Sequence, residues 1–279
     1  MEKEKHIKDI QQNGAGNKIK WAAVVPLIGG MAVGNYKSIE SKPEFMLSFE
    51  AFNANDQHIR NYWPDVPYSL IDENTGKLLS DKKQKKNGCY KCHKENLQER
   101  YYDIDMVSSV PPCAGLSMLN KTNRGSDATQ NEWLYKSSNY VLENIKPKVL
   151  WGENAPGLYT SIGKGVVTKL RDIAEKYGYT FSLYKTNSTL HGIPQRRIRT
   201  FYFFWKSKTV PMLSWKNKSK KDFAEYLAEI PKSASLQDMY SKSEKVTERY
   251  KPYQFILEKE GLTHKEFASK ISKENKKMS

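Results

Sequence analysis

The chain has 279 residues, 38% of them hydrophobic, and a formal net charge of +15. That is one full domain with an appendage, and with six Trp, seventeen Tyr and ten Phe it can build a core. Such a basic surface suits a polyanion, while no apolar run approaches a membrane span and Met1-Glu2-Lys3-Glu4-Lys5 is too charged to open a signal peptide.

Residues 1–20 form a polar N-terminal segment. Trp21 to Ile28 is an apolar, Val-rich run, followed by Gly29-Gly30-Met31-Ala32-Val33-Gly34. A strand that ends in glycines before a helix lets backbone approach a ligand closely. The next predicted strand, Phe45 to Phe49, ends at Glu50-Ala51-Phe52, and a third, Val66 to Ile71, ends at Asp72. For both acids the plain alternative is a solvated loop carboxylate.

Residues 73–103 are a polar, Lys-rich insert holding Cys89-Tyr90-Lys91-Cys92-His93. Haem attachment at such a motif needs export, and zinc needs about four ligands where only half a knuckle is present. His6, His58, His191 and His264 lie at unrelated positions. A flexible basic loop, with Lys82, Lys83, Lys85 and Lys86 available to a DNA backbone, is the expected reading, with no metal site. Three cysteines point to a reducing, cytoplasmic setting and not to a disulfide scaffold.

Ile104 to Val110 is a short buried strand that runs into Pro111-Pro112-Cys113. One thiol therefore stands at a strand's carboxyl end, where open α/β sheets place their chemistry. A helix is predicted from Glu132 to Ile145. Val149 to Gly152 is another strand, running into Glu153-Asn154-Ala155-Pro156. Val166, Leu170, Ile173, Ala174 and Tyr177 share one helical face, and Gly178 is its C-cap. Thr180 to Tyr184 and Thr200 to Trp205 form a last strand pair, joined by a loop with Gly192 and Gln195-Arg196-Arg197-Ile198-Arg199. Strands alternating with helices predict an α/β fold over residues 21–210: a doubly wound, mostly parallel sheet with helices on both faces. Residues 211–279 are a basic extension, partly helical at Phe223, Leu227 and Ile230 and more loosely at Phe255, Ile256 and Leu262. The 74 residues after Trp205 carry +7 of the net charge.

A thiol, a carboxyl group and an arginine cluster, each at a strand end, are the parts needed to attack an electron-poor pyrimidine. Pro112-Cys113, Glu153-Asn154 and Gln195-x-Arg197-x-Arg199, in that order, resemble the C5-cytosine DNA methyltransferases, over about Ala22 to Trp205. The resemblance implies S-adenosylmethionine as cofactor, cytosine-containing duplex DNA as partner and a Rossmann-like fold. It implies a cysteine adding to cytosine C6, with Cys113 in that role, so that C5 becomes nucleophilic. Glu153 would meet N3 as an acid, its pKa raised by burial. Arg197 would bind the pyrimidine O2, and Arg199 would position the base or the Cys113 loop. Pro112, Asn154 and Gln195 would support the site. The base must leave the duplex to reach it.

For the cofactor, the resemblance points to the turn Leu27-Ile28-Gly29-Gly30, to Glu50 for the ribose hydroxyls, to Ala51 and Phe52 for stacking on adenine, to Asp72 for the adenine amino group, and to Pro111. The family turn reads Phe-x-Gly-x-Gly-Gly, whereas this chain has Val25 at the Phe and Leu27 at the first Gly. No counterpart of the family's target-recognition domain is legible after Trp205. The expectation is the catalytic half of a split or truncated bacterial or phage DNA methyltransferase, with a second chain to supply recognition, or a minimal member. The alternatives are a tRNA cytosine methyltransferase and a catalytically silent DNA-binding or regulatory subunit.

Overall fold

The computed structural model describes residues 19–79, 97–117, 119–120, 124–213, 218–219, 222–228, 257, 259–263, 266–267 and 270. The Cys89-Cys92-His93 motif, the lysines from Lys82 to Lys86, His6, His264, Ile230, Phe255 and Ile256 lie outside the described residues.

The strands are β1 (Trp21–Val24), β2 (Met46–Phe49), β3 (Tyr68–Ile71), β4 (Met106–Ser109), β5 (Val149–Asn154), β6 (Thr180–Asn187) and β7 (Ile198–Trp205). They form one sheet in the order β3-β2-β1-β4-β5-β7-β6. β1 pairs in parallel with β2 and β4, β2 with β3, and β4 with β5; β7 runs antiparallel to β5. Every residue of β1, β2 and β3 is buried, as expected of parallel strands covered on both faces.

The helices are α1 (Gly30–Ile39), α2 (Gln57–Tyr62), α3 (Glu132–Tyr140), α4 (Lys164–Lys176) and α5 (Phe223–Ala228). Successive residues of β1 point to opposite faces. Trp21 and Ala23 pack with Ala32 of α1 and with Ile59 and Trp63 at α2. Ala22 and Val24 enter a second core with Leu134 of α3 and Leu170 and Ala174 of α4. Two helices thus cover each face, and the doubly wound α/β fold expected from the sequence is observed.

Several boundaries move for physical reasons. β1 stops at Val24 because Val25 turns left-handed, with φ 53°. β5 runs on through Glu153 and Asn154 because β7 pairs with them, at Phe201 and Thr200. The acid therefore lies within a strand end, not in the turn after it. α3 gives way at Val141–Ile145 to a wider π-helical turn. α4 closes as predicted: Gly178 is left-handed at φ 74°, and the amides of Gly178 and Tyr179 reach the carbonyls of Glu175 and Ala174. The described end of the insert departs from the polar loop expected for 73–103. Leu97–Asp103 is a 3-10 turn that buries Leu97 and Tyr101 in the core, and the Tyr101 hydroxyl lies 3.0 Å from that of Tyr140.

The chain divides into two compact units: residues 1–186 with 199–212, and residues 187–198 with 213–279. The sheet core and α1 to α4 belong to the first. Among the described residues no helix is long and apolar enough to cross a membrane.

Candidate active site

The strand order reverses between β1 and β4, since the chain moves outward from β1 to β2 and β3 and then returns to β4. Loops leaving two such strands diverge and open a crevice at their carboxyl ends. The Gly29-Gly30 turn leaves β1 there, and Pro111-Pro112-Cys113 leaves β4. The two are joined: the Val110 amide donates to the Val25 carbonyl at 3.3 Å.

In the first of these turns Leu27 has φ 50° and Gly29 φ 89°, so three left-handed residues occur within five, counting Val25. A non-glycine residue held there costs about 1–2 kcal/mol. Gly29 has no freedom to change: a Cβ there would lie 2.5 Å from Cδ1 of Ile59 on α2. Ile28 is exposed at the tip, and Gly30 opens α1 with clear space around its Cα. Glu50, partly exposed, and Ala51, exposed, begin the 3-10 turn after β2. Phe52 is buried, and its ring meets Trp133 edge-on at 4.7 Å, so that ring is committed to the core. Oδ1 of Asp72 accepts the amides of Asn74 and Thr75 and closes the turn after β3.

Pro111 is buried, while Pro112 and Cys113 are half-buried. Cys113 has φ −104° and ψ 7°, the bridge region often found at active sites, and its carbonyl accepts the Leu116 amide. On the neighbouring strand Glu153 forms an ion pair with Arg199 of β7, Oε1 to Nε 2.5 Å, with each side chain about a fifth exposed. Antiparallel β7 brings Arg199 in: it starts at the edge where β5 ends. The buried Asn154 turns its side-chain oxygen back onto the Ala155 amide at 2.8 Å, fixing the turn that follows.

Sequence reasoning missed Tyr202 and Gly152 beneath this edge, and one buried carboxylate elsewhere. Tyr202, fully buried, donates its hydroxyl to the Ser109 carbonyl at 3.2 Å. Burial and the charge of Glu153 push its phenol pKa upward, so it stays a neutral donor. It crosses Gly152, where a Cβ would lie 2.2 Å from both the Tyr202 hydroxyl and the Ser109 carbonyl oxygen. A glycine inside a strand was the available signal for Gly152. Nothing in the alternation of β7 marks Tyr202. The other missed group is Asp56, buried at the start of α2.

Gln195 and Arg197 belong to the second unit and are exposed. There Ser188 organises the run: its hydroxyl donates to the Gln195 carbonyl and accepts the Arg197 amide, and its own amide donates to the Arg197 carbonyl. The first unit therefore brings Cys113, Glu153 and Arg199 to one sheet edge, and Gln195 and Arg197 are ordered by their own loop.

The family model for C-5 cytosine-specific DNA methylase matches residues 66–278. The chain belongs to that family. Over 115 residues this methylase-family chain is 30% identical to the Type II methyltransferase M1.BsuMI of Bacillus subtilis, covering 41% of the chain and 26% of that protein. Over 99 residues it is 28% identical to M1.HphI of Haemophilus parahaemolyticus, covering 36% and 27%. The matches thus span about a quarter of the length of these curated relatives. Among solved structures it is similar to the Entamoeba histolytica methyltransferase EhMeth, at 16% identity and a TM-score of 0.47, covering 75% of this chain and 60% of that one. It is also similar to a DNA modification methyltransferase encoded within an Escherichia coli prophage, at 18% and 0.46, covering 67% and 47%.

The residues of this methylase-family chain fit the family's cofactor at one end of the crevice. Gly29 is left-handed, Gly30 at the start of α1 has open space around it, and Glu50, partly exposed, follows the adjacent strand, so the turn leaves room for a ligand.

Proposed function

We propose that this chain is the catalytic part of a DNA cytosine-5 methyltransferase that uses S-adenosylmethionine. The observation that carries the reading is the convergence of Cys113, Glu153 and Arg199, from three neighbouring strands, at the sheet edge that also holds the Gly29-Gly30 turn.

Cys113, as thiolate, adds to C6 of a cytosine flipped out of the duplex. The ring electrons move toward N3, where Glu153 delivers a proton, and C5 becomes the nucleophilic carbon. When bound, S-adenosylmethionine supplies an electrophilic methyl group. Arg199 holds the Glu153 carboxylate in register with Cys113, and Arg197 serves the pyrimidine O2. Water takes the C5 proton, the C6–sulfur bond breaks to return Cys113 as thiolate, and N3 gives its proton back to Glu153. Glu50 accepts the ribose hydroxyls, and the Leu27 to Gly30 backbone cradles the methionine end.

Tritiated methyl transfer by the purified chain to cytosine-containing DNA, compared with tRNA, tests the activity and the substrate together. Transfer to tRNA alone overturns the DNA reading. Cofactor binding is tested separately by calorimetry, where Glu50→Ala should cost about 1.5–3 kcal/mol.

A further inference from the structure

We infer that Asn131 is a positioning residue for the candidate nucleophile: its side-chain amide clamps the returning end of the Cys113 loop and so fixes where Cys113 stands relative to Glu153. The inference rests on the proposed catalytic role of Cys113 and concerns how the fold holds that residue in place.

Asn131 stands at the N-cap position of α3, where an asparagine ordinarily accepts a helix amide through its side-chain oxygen. Here its backbone is already helical, and its side chain makes no capping bond. The residue is buried all the same. Its Nδ2 turns back and donates to the carbonyls of Gly125 and Ser126, at 2.8 and 3.2 Å. Gly125 in turn donates its amide to the carbonyl of Gly115, just beyond Cys113, at 2.8 Å. The chain that leaves the nucleophile is thus tied to the chain that returns, and one buried amide holds the tie. Gly115 is pressed against the same side chain: a Cβ there would lie 2.6 Å from Oδ1 of Asn131 and 2.9 Å from Cβ of Ala128.

The other side of the turn is fixed from β5. A Cβ on Gly157 would lie 2.2 Å from the Leu116 carbonyl oxygen, and Gly157 belongs to the 3-10 turn Pro156–Tyr159 that follows Glu153 and Asn154. Ser126 is anchored as well. Its hydroxyl donates to the Ile162 carbonyl at 3.0 Å and accepts the Gly165 amide, in the first turn of α4, at 3.1 Å. The short turn Ala114–Leu116 that follows Cys113 is thereby gripped between Asn131 and the segment that carries the acid. Asparagine is the residue type this needs, because two successive carbonyls require N–H donors on a short stem. Aspartate has the same shape, but ionised it has only acceptors and would set a negative charge against both carbonyls. None of these bonds involves the turn after β1, so the clamp acts on the reaction and not on cofactor affinity.

The experiment compares the full chain as wild type, N131D, G115A and Y179F. Tyr179→Phe is the control: it removes a buried hydroxyl that donates to the Pro147 carbonyl at 2.7 Å, ahead of β5 and away from the loop. Methyl transfer to cytosine-containing DNA gives kcat, calorimetry gives the S-adenosylmethionine Kd, and urea denaturation gives stability. Iodoacetamide, followed by mass spectrometry of the Cys113 peptide, gives the rate of thiol alkylation. N131D should lose about 100-fold in kcat, as for a reacting group displaced by about 1 Å, while the cofactor Kd stays within about twofold. Its Cys113 should be alkylated about tenfold faster than in wild type, because losing the clamp favours the open loop by about that factor. Gly115→Ala pushes on the same contact from the side of the loop and should give the same split, so the result does not hang on N131D folding. Y179F should lose stability yet keep wild-type kcat and alkylation. Wild-type kcat and alkylation in both N131D and G115A overturn the inference. So does an equal loss of kcat in Y179F, which would make the effect one of general destabilisation. If wild type transfers no methyl group, the catalytic reading fails by itself, and alkylation still decides the clamp: faster reaction in N131D and G115A supports it, and equal rates overturn it.

Discussion

The Tyr202 hydroxyl lies across Gly152 and donates to the Ser109 carbonyl, so one buried phenol on β7 spans β5 to grip the last residue of β4. Four residues later comes Cys113, and next to Gly152 comes Glu153. The strands of the candidate nucleophile and acid are thus pinned at one point. Gly152→Ala places a methyl in space filled by backbone and ring, so it should destabilise the chain by about 3 kcal/mol or more. Tyr202→Phe removes only the hydroxyl and should cost about 1 kcal/mol. Urea denaturation of the three proteins checks the ranking.

The covalent step has its own signature. DNA containing 5-fluorocytosine should trap a denaturation-resistant complex in the presence of cofactor, because fluorine replaces the proton that must leave C5. Cys113→Ser should abolish the trap. A trap that persists in the serine variant moves the nucleophile elsewhere.

The Glu153–Arg199 pair can be tested with its charge kept or removed. Each side chain is only about a fifth exposed, so removing either partner leaves the other's charge largely buried and should cost stability as well. Losing the group that orients the acid should cost about 100-fold in turnover. Arg199→Lys keeps the charge, so it is expected to melt nearer wild type than Arg199→Gln while still methylating poorly. Wild-type turnover in Arg199→Lys would make the pair structural.

Asp56 makes a pH prediction independent of ligand. Burial raises its pKa from 3.8 to about 7, so the folded chain holds that proton more tightly than the unfolded one. The associated stability is full below about pH 4 and is lost as pH rises through about 7. The span is on the order of 4 kcal/mol. Denaturation free energies from pH 4 to 8 should show wild type falling relative to D56N, and parallel curves would exclude this proton uptake.

DNA binding by this chain should be largely electrostatic. With net charge +15, affinity for duplexes should fall roughly 100-fold between 50 and 200 mM salt for about four phosphate contacts, similarly for unrelated sequences. Fluorescence anisotropy with several duplexes measures this. A strong preference for one sequence, or site-specific methylation by the chain alone, would place a recognition element within residues 211–279 or the 73–103 insert.

The alternation of apolar runs with helical faces determined the doubly wound sheet, because burial on both faces imposes that pattern on parallel strands whatever their order. Pro112-Cys113, Glu153-Asn154 and Gln195-x-Arg197-x-Arg199 were legible as short runs because each sits where a strand ends. Strand order, and so the crevice between β1 and β4, came only from the tertiary structure, as did the antiparallel insertion of β7 that delivers Arg199 to Glu153. Tyr202 and Asp56 act through contacts 93 and 12 residues away along the chain, to Ser109 and Tyr68. No local pattern encodes such partners. In sequence Tyr202 is one more aromatic in a buried strand and Asp56 an ordinary helix cap; only the fold sets one against Ser109 and the other against Tyr68.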